Sequence, residues 1–202
     1  MSVPSWLRRC VPVVALAALA ACTTGADAVD QASGGSQRFV AGSGASTVYS
    51  VADRKAAPDI AGTLLDGASF TLGAARGDVV VLNFWGSWCA PCRAEADDLE
   101  RVYQATKASG VRFVGVNVKD TESRAKAFDV NFKITYPSLY DQAGRVALQL
   151  KAAPPNAVPA TIVVDRDGRI AAVFRKALLD TELQPVVEKI AAEKPDLIKL
   201  MI

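Results

Sequence analysis

The stretch Val79-Val-Val-Leu-Asn-Phe-Trp-Gly-Ser-Trp-Cys-Ala-Pro-Cys92 joins an almost continuous apolar run to two closely spaced cysteines. Such an apolar run predicts a strand that is covered on both faces of a sheet. After Cys92, apolar residues recur at helical spacing as far as Thr106, and Gly110 stands where a helix would stop. The two cysteines are therefore predicted to lie between a central strand and the start of a helix.

Apolar runs and amphipathic stretches alternate along residues 54–202, which is typical of an α/β domain. A second buried strand is predicted over 111–118, followed by another helix. The pair Asp167-Gly168 between two apolar runs predicts a β-hairpin, and a last helix is expected to begin near Asp180 or Thr181. We therefore expect one α/β domain with a central mixed sheet flanked by helices.

Two cysteines separated by two residues at the start of a helix can close a disulfide and reopen it by exchange. The partial positive charge of the helix N-terminus favours a thiolate at Cys89, which we predict to be the nucleophile. Cys92 would then resolve the mixed disulfide that Cys89 forms with a partner. Pro91 suits the first helical turn because its missing N–H would have had no partner there.

Other uses of this cysteine pair have less support. A zinc site needs four ligands, and only carboxylates could complete it, because the chain has no histidine and its other cysteines, Cys10 and Cys22, lie near the N-terminus. Haem attachment requires a histidine where Arg93 stands. A purely structural disulfide would close too short a loop to stabilise much. We therefore expect no metal and no cofactor other than the redox-active disulfide.

The N-terminal region has the organisation of an export signal. In residues 1–21, Arg8 and Arg9 precede an apolar run that is too short to span a bilayer, which needs about 20 residues as a helix. A buried core helix is the alternative, but the run leads into small polar residues. Residues 22–53 are rich in Gly, Ser, Ala and Thr, which predicts a flexible linker between Cys22 and the domain.

Charge and composition exclude several classes of function. Arg8 and Arg9 account for the formal charge of +2, because the other 21 basic residues equal the 21 acidic ones. No basic surface is therefore expected for nucleic acid, and we predict no such partner. The absence of histidine excludes histidine-based nucleophile pairs, metal sites and general bases.

The segment Asn83–Glu95, with Val158-Pro159 before a later strand, resembles the TlpA/ResA-like branch of the thioredoxin family of thiol-disulfide oxidoreductases. The resemblance extends over roughly residues 55–193 and implies a thioredoxin-like fold. The segment Leu19-Ala-Ala-Cys22 is similar to the lipobox of bacterial lipoproteins, in which the cysteine is acylated and becomes the first residue after cleavage. An ordinary signal peptide cut near Ala21 is the alternative.

The resemblance also implies roles for residues outside the cysteine pair. Pro159 matches a cis-proline that lies against the active site, where the backbone of Val158 would pair with a substrate strand. Glu95 matches a glutamate that influences the protonation of the cysteines; a solvated carboxylate on the helix surface is the alternative. Asn83 stands where ordinary thioredoxins have a buried aspartate. Trp88 would shield the nucleophile, or serve packing alone.

The function implied by the resemblance is that of an extracytoplasmic, lipid-anchored enzyme that reduces disulfides in exported proteins such as apocytochrome c. Its electrons would come from a membrane protein. An oxidase is the nearest alternative, because the compartment favours disulfides; a peroxiredoxin-like peroxidase and a tethered metal chaperone are further ones. Ala160, where the family often has threonine, and the unusual Pro154-Pro155-Asn156 leave the substrate preference open.

Overall fold

The computed structural model describes residues 44–150 and 157–193. The predicted signal peptide, Cys22 and Pro154-Pro155-Asn156 lie outside these ranges. Within them, every helix is too short or too polar to cross a bilayer.

The described chain alternates strands and helices, as expected. The strands are β1 (Ser46–Val48), β2 (Ala61–Thr63), β3 (Ser69–Thr71), β4 (Val79–Trp85), β5 (Val111–Val118), β6 (Ser138–Asp141), β7 (Ala160–Val164) and β8 (Ile170–Phe174). The α-helices are α1 (Ala90–Thr106), α2 (Glu122–Asn131), α3 (Arg145–Gln149) and α4 (Asp180–Ala191). A six-stranded sheet has the order β1-β8-β7-β4-β5-β6, and β2 pairs with β3 separately. Strands β4, β5 and β6 are parallel, whereas β7, β8 and β1 join by antiparallel pairing, so the predicted mixed sheet is confirmed.

Strand β4 lies inside the sheet, between β5 and β7, and all of its residues are buried. Its alternate side chains enter different apolar clusters: Leu82 and Phe84 pack on one side of the sheet and Val79 and Val81 on the other. The prediction that this apolar run forms a strand covered on both faces of the sheet is thus confirmed. The carboxyl end of β4 leads directly to the two cysteines.

Two turns that were predicted from sequence have the expected backbone. Gly110 follows α1 and a short 3-10 turn in the left-handed conformation, with φ 72°, which favours glycine. Gly168 in the β7–β8 turn has φ 75°, and the Asp165 carboxylate accepts hydrogen bonds from the backbone N–H groups of Asp167 and Arg169. The predicted hairpin is confirmed.

Short segments cover both edges of the sheet. On one side, the three-residue strand β1 pairs with β8, from Ser46 opposite Phe174 to Val48 opposite Ala172. On the other side, the chain around the β2–β3 hairpin runs against β6, where the backbone N–H of Leu65 donates to the carbonyl of Ser138.

The strand β1 corrects the prediction that residues 22–53 form a flexible linker, because part of this stretch belongs to the sheet. Its small polar composition resembles a linker, but pairing with β8 satisfies backbone groups that the edge of the sheet would otherwise expose. The domain therefore begins before residue 54, the predicted boundary. The pairing joins residues far apart in sequence, so local composition carried no signal for it.

Candidate active site

Cys89 and Cys92 lie at the junction of β4 and α1, and a disulfide joins them. Cys89 is the N-cap residue of α1, and its Sγ accepts a hydrogen bond from the backbone N–H of Cys92 at 3.2 Å. Pro91 occupies the first turn, as the sequence indicated. Only 4% of Cys89 and 2% of Cys92 is exposed, so a reacting partner must come into close contact with this surface.

The helix start gives a thiolate at Cys89 two sources of stabilisation. The unpaired N–H groups of the first turn carry a partial positive charge, and one of them already points at the sulfur. Both effects favour a thiolate over a thiol at this position. The geometry therefore suits Cys89 both as a nucleophile in the reduced protein and as one sulfur of the Cys89–Cys92 disulfide in the oxidised protein.

Trp88, beside the cysteines, is partly buried against the main apolar cluster, and its Nε1 donates to the carbonyl of Val118 at 3.4 Å. Gly86 makes room for this ring, because a Cβ at that position would lie 2.5 Å from the Trp88 Nε1. Trp88 therefore packs on the domain, and its predicted shielding of the nucleophile stays a prediction.

Asp120 holds the loop that precedes the cysteines, and sequence reasoning assigned it no part in the site. Its carboxylate accepts hydrogen bonds from the backbone N–H of Ser87 at 2.6 Å and from the Ser87 hydroxyl at 2.9 Å. Asn117 and the backbone N–H of Thr121 also donate to it. The available signal was its position just after β5, because the carboxyl ends of parallel strands meet at one edge of a sheet.

The peptide bond between Val158 and Pro159 is cis, as expected. Strand β7 begins at the next residue, Ala160, which pairs with Phe84 near the end of β4. Val158 belongs to the same buried cluster as the two cysteines. The strand register therefore brings this segment to the active-site end of the sheet, although its pairing with a substrate stays a prediction.

Glu95 is buried, with 2% of its surface exposed, which excludes a solvated carboxylate. One carboxylate oxygen accepts a hydrogen bond from Asn83 Nδ2 and the other from the backbone N–H of Leu178, each at 2.9 Å. Asn83 Nδ2 also donates to the hydroxyl of Thr161 at 3.2 Å. Glu95 and Asn83, which the resemblance suggested separately, are therefore direct partners.

Burial raises the pKa of Glu95 to about 7, and the negative charge of Asp98 adds to this effect. The hydrogen bonds from Asn83 and Leu178 lower the pKa but do not offset the loss of water. Cys92 and Glu95 both lie on the buried face of α1 at helical spacing, so their side chains are neighbours. A carboxyl group that titrates near neutral pH thus lies beside the second cysteine.

Within residues 44–150 and 157–193, no cluster of three or more His, Cys, Asp or Glu side chains is arranged to bind a metal ion. The candidate site brings together the disulfide, the buried Asn83–Glu95 pair and the cis-proline segment.

Comparisons with known proteins agree with this geometry. Residues 54–173 match the AhpC/TSA family. The chain is 30% identical over 140 residues to the thiol-disulfide oxidoreductase ResA of Geobacillus kaustophilus (strain HTA426), across 69% of this chain and 79% of that protein.

Two solved structures from Corynebacterium are also similar. A secreted thiol-disulfide isomerase from Corynebacterium glutamicum has a TM-score of 0.71 and 35% identity, across 79% of this chain and all of that one (100%). A DsbF homologue from Corynebacterium diphtheriae has a TM-score of 0.68 and 37% identity, across 77% and 99%. The chain belongs to the AhpC/TSA family, and it is a ResA-like thiol-disulfide oxidoreductase with a thioredoxin-like fold.

Proposed function

We propose that this oxidoreductase reduces disulfides in exported proteins outside the cytoplasm, anchored to the cell membrane by acylated Cys22. The export signal predicted in residues 1–21 and the secreted relative from Corynebacterium glutamicum support the location. The lipobox-like residues before Cys22 support the anchor, since two or more acyl chains give stable membrane binding.

The observation that carries the proposed chemistry is the position of Cys89 as the N-cap of α1, with its Sγ facing the Cys92 N–H. In the reduced enzyme, the Cys89 thiolate attacks a substrate disulfide, and one substrate sulfur leaves as a thiolate. Cys92 then attacks Cys89, the second substrate sulfur leaves, and the Cys89–Cys92 disulfide forms. The substrate gains two electrons and the enzyme loses two.

The proposed substrates are the cysteines of apocytochrome c before haem attachment. The similarity of Asn83–Glu95 to the TlpA/ResA-like branch and the relative named ResA support this choice. A membrane protein that carries electrons outward would return the Cys89–Cys92 disulfide to the dithiol form.

The reducing direction is supported by the carboxyl group of Glu95, which is buried beside Cys92. A negative charge near the cysteines disfavours thiolate and so disfavours the reduced protein relative to the disulfide. The helix N-terminus at Cys89 acts in the opposite sense, and it is the observation that favours an oxidase as the second candidate.

The reduction potential of the purified domain separates these two directions. We expect a value closer to the roughly −270 mV of thioredoxin than to the roughly −120 mV of a strong oxidant. Equilibration with glutathione or dithiothreitol buffers measures it. A potential near the second value would contradict the reductase and favour the oxidase.

Trapping of the mixed disulfide tests the substrate. In Cys92→Ser the intermediate on Cys89 cannot resolve, so bound proteins stay attached and can be identified after purification from cells. The matched control carries Cys89→Ser as well and should retain nothing. Recovery of apocytochrome c supports the proposal, whereas folded Cys92→Ser protein that retains no partner contradicts it.

A further inference from the structure

A small cavity lies behind Cys92, where α1 faces α2 and the sheet. Its volume is about 10 Å³, close to the minimum that one water molecule needs. The residues that matter here are Cys92 on α1, Asp129 on α2 and Ser138 at the start of β6, all of which line it. Glu95 is not among the lining residues, and its carboxylate accepts hydrogen bonds from Asn83 and from the backbone of Leu178.

Two polar atoms in the wall of this cavity are buried and have no hydrogen-bond partner within the described part of the chain: Asp129 Oδ1 and Ser138 Oγ. Ser138 is only 2% exposed. Buried polar atoms are nearly always paired with protein or with ordered water. Because both atoms belong to residues that line the cavity together with Cys92, a water molecule in the cavity is the partner that we assign to them.

Asp129, which lines the cavity, is suited to accept a proton near neutral pH. Burial raises its pKa to about 7, so the carboxylate holds a proton more tightly there than an exposed carboxylate would. The other titratable groups that line the cavity are Cys92 and Tyr136. Glu95 and Glu100 of α1 do not line it, but they lie near enough for their charges to act on Tyr136. Burial raises the pKa of Tyr136 well above its usual value, and the charges of Glu95, Glu100 and Asp129 add to this.

We propose that Asp129 accepts the proton of the Cys92 thiol, through a water in the cavity, when Cys92 attacks the mixed disulfide on Cys89. The S–H bond of Cys92 breaks, its electron pair forms the bond to Cys89, and the partner leaves as a thiolate. The proton stays on the Asp129 carboxyl group until solvent removes it. The inference rests on the exchange proposed above and adds a proton acceptor distinct from Glu95.

The test follows the two thionitrobenzoate anions released when the reduced full-length protein reacts with dithiobis(nitrobenzoate). Every variant also carries Cys10→Ser and Cys22→Ser, so that only the two active-site thiols react. The first anion leaves when Cys89 attacks, at a rate proportional to reagent concentration. The second leaves when Cys92 displaces it, at a rate independent of that concentration, and its pH profile reports the proton transfer.

We expect Asp129→Asn to slow the second release at least about tenfold near neutral pH and to remove the inflection from its pH profile. Its first release should change less than about twofold. Ser138→Ala, which removes the other anchor of the water, should slow the second release by a smaller factor. The control Asp97→Asn alters an exposed carboxylate on α1 and should change neither rate.

A second release with wild-type rate and pH profile in Asp129→Asn would overturn the inference. The same holds if Glu95→Gln removes the inflection while Asp129→Asn keeps it. Absence of the first release from wild-type protein would instead contradict the exchange at Cys89. Should Asp129→Asn fail to fold, Ser138→Ala decides, because a wild-type second release in that variant also overturns the proposed water path.

Discussion

At the scale of single residues, the carboxyl group of Glu95 is held by donors from two parts of the chain, Asn83 of β4 and the backbone of Leu178. Its pKa is about 7 in the folded protein and 4.5 in an unfolded chain. The folded state therefore binds the proton more tightly. Stability from this group is complete below pH 4.5 and is lost as the pH rises through about 7.

We expect Glu95→Gln to remove this part of the pH dependence. Between about pH 5 and about pH 8, the free energy of unfolding of the wild type should fall by about 2.5 kcal/mol more than that of the variant. Urea unfolding of the oxidised protein measures this without titration of the cysteines. Glu188→Gln, at an exposed position on α4, should retain the wild-type slope; a wild-type slope in Glu95→Gln would contradict the prediction.

The burial of Glu95 was partly predictable, whereas the environment of Asp129 was not. Glu95 follows Cys92 at helical spacing and precedes Ala96, so it lies on the buried face of α1. Asp129 lies in a wall shared by α2, α1 and β6, and no local pattern describes such a cavity. Its position depends on contacts between elements that are distant in the sequence.

At the scale of elements, the loop between β4 and α1 is fixed by a residue from another strand. Asp120, 5% exposed, lies just after β5 and accepts two hydrogen bonds from Ser87. The apolar run of β4 and the helical spacing of α1 revealed both elements from sequence. The hydrogen bonds from Ser87 to Asp120 were not predicted, because an aspartate after a strand is equally typical of the start of a helix.

Asp120→Asn should therefore loosen the loop before the cysteines. Asparagine replaces one acceptor oxygen by a donor N–H₂ group, which leaves buried donors unpaired, so we expect the free energy of unfolding to fall by about 2 kcal/mol. Amide hydrogen exchange should show loss of protection at the Ser87 N–H. Asp97→Asn is the matched control, and retained protection of Ser87 in Asp120→Asn would show that the carboxylate does not hold the loop.

At the scale of the whole molecule, Arg54 ties the chain after β1 to the far end of the fold. Its side chain is 3% exposed, and the guanidinium donates to Asp165 at 3.1 Å and to both carboxylate oxygens of Glu193, at 2.5 and 2.7 Å. It therefore links the β7–β8 turn to the end of α4. The sequence offered no sign of this contact, because its partners are more than a hundred residues away.

Arg54→Met should lower the free energy of unfolding by about 3 kcal/mol, because it leaves the buried Asp165 with fewer cationic partners. Arg112→Met provides the control, since Arg112 pairs with Asp78 at an exposed surface, where such pairs contribute at most about 1 kcal/mol. Urea unfolding of both variants measures the difference. Equal effects would mean that the buried network contributes no more than a surface pair.

The short segments at the two edges of the sheet limit where a substrate polypeptide could pair with the backbone of this enzyme. Extended polypeptides pair readily with the open edge strands of a sheet, and such pairing promotes aggregation. At one edge the three-residue β1 covers β8, and at the other the chain around the β2–β3 hairpin lies against β6. Few backbone groups at either edge are therefore open to pair with a substrate protein. If the proposed reductase binds substrate through main-chain hydrogen bonds, we therefore expect that pairing close to Cys89 and Cys92, at the segment before β7, rather than along the edges of the sheet.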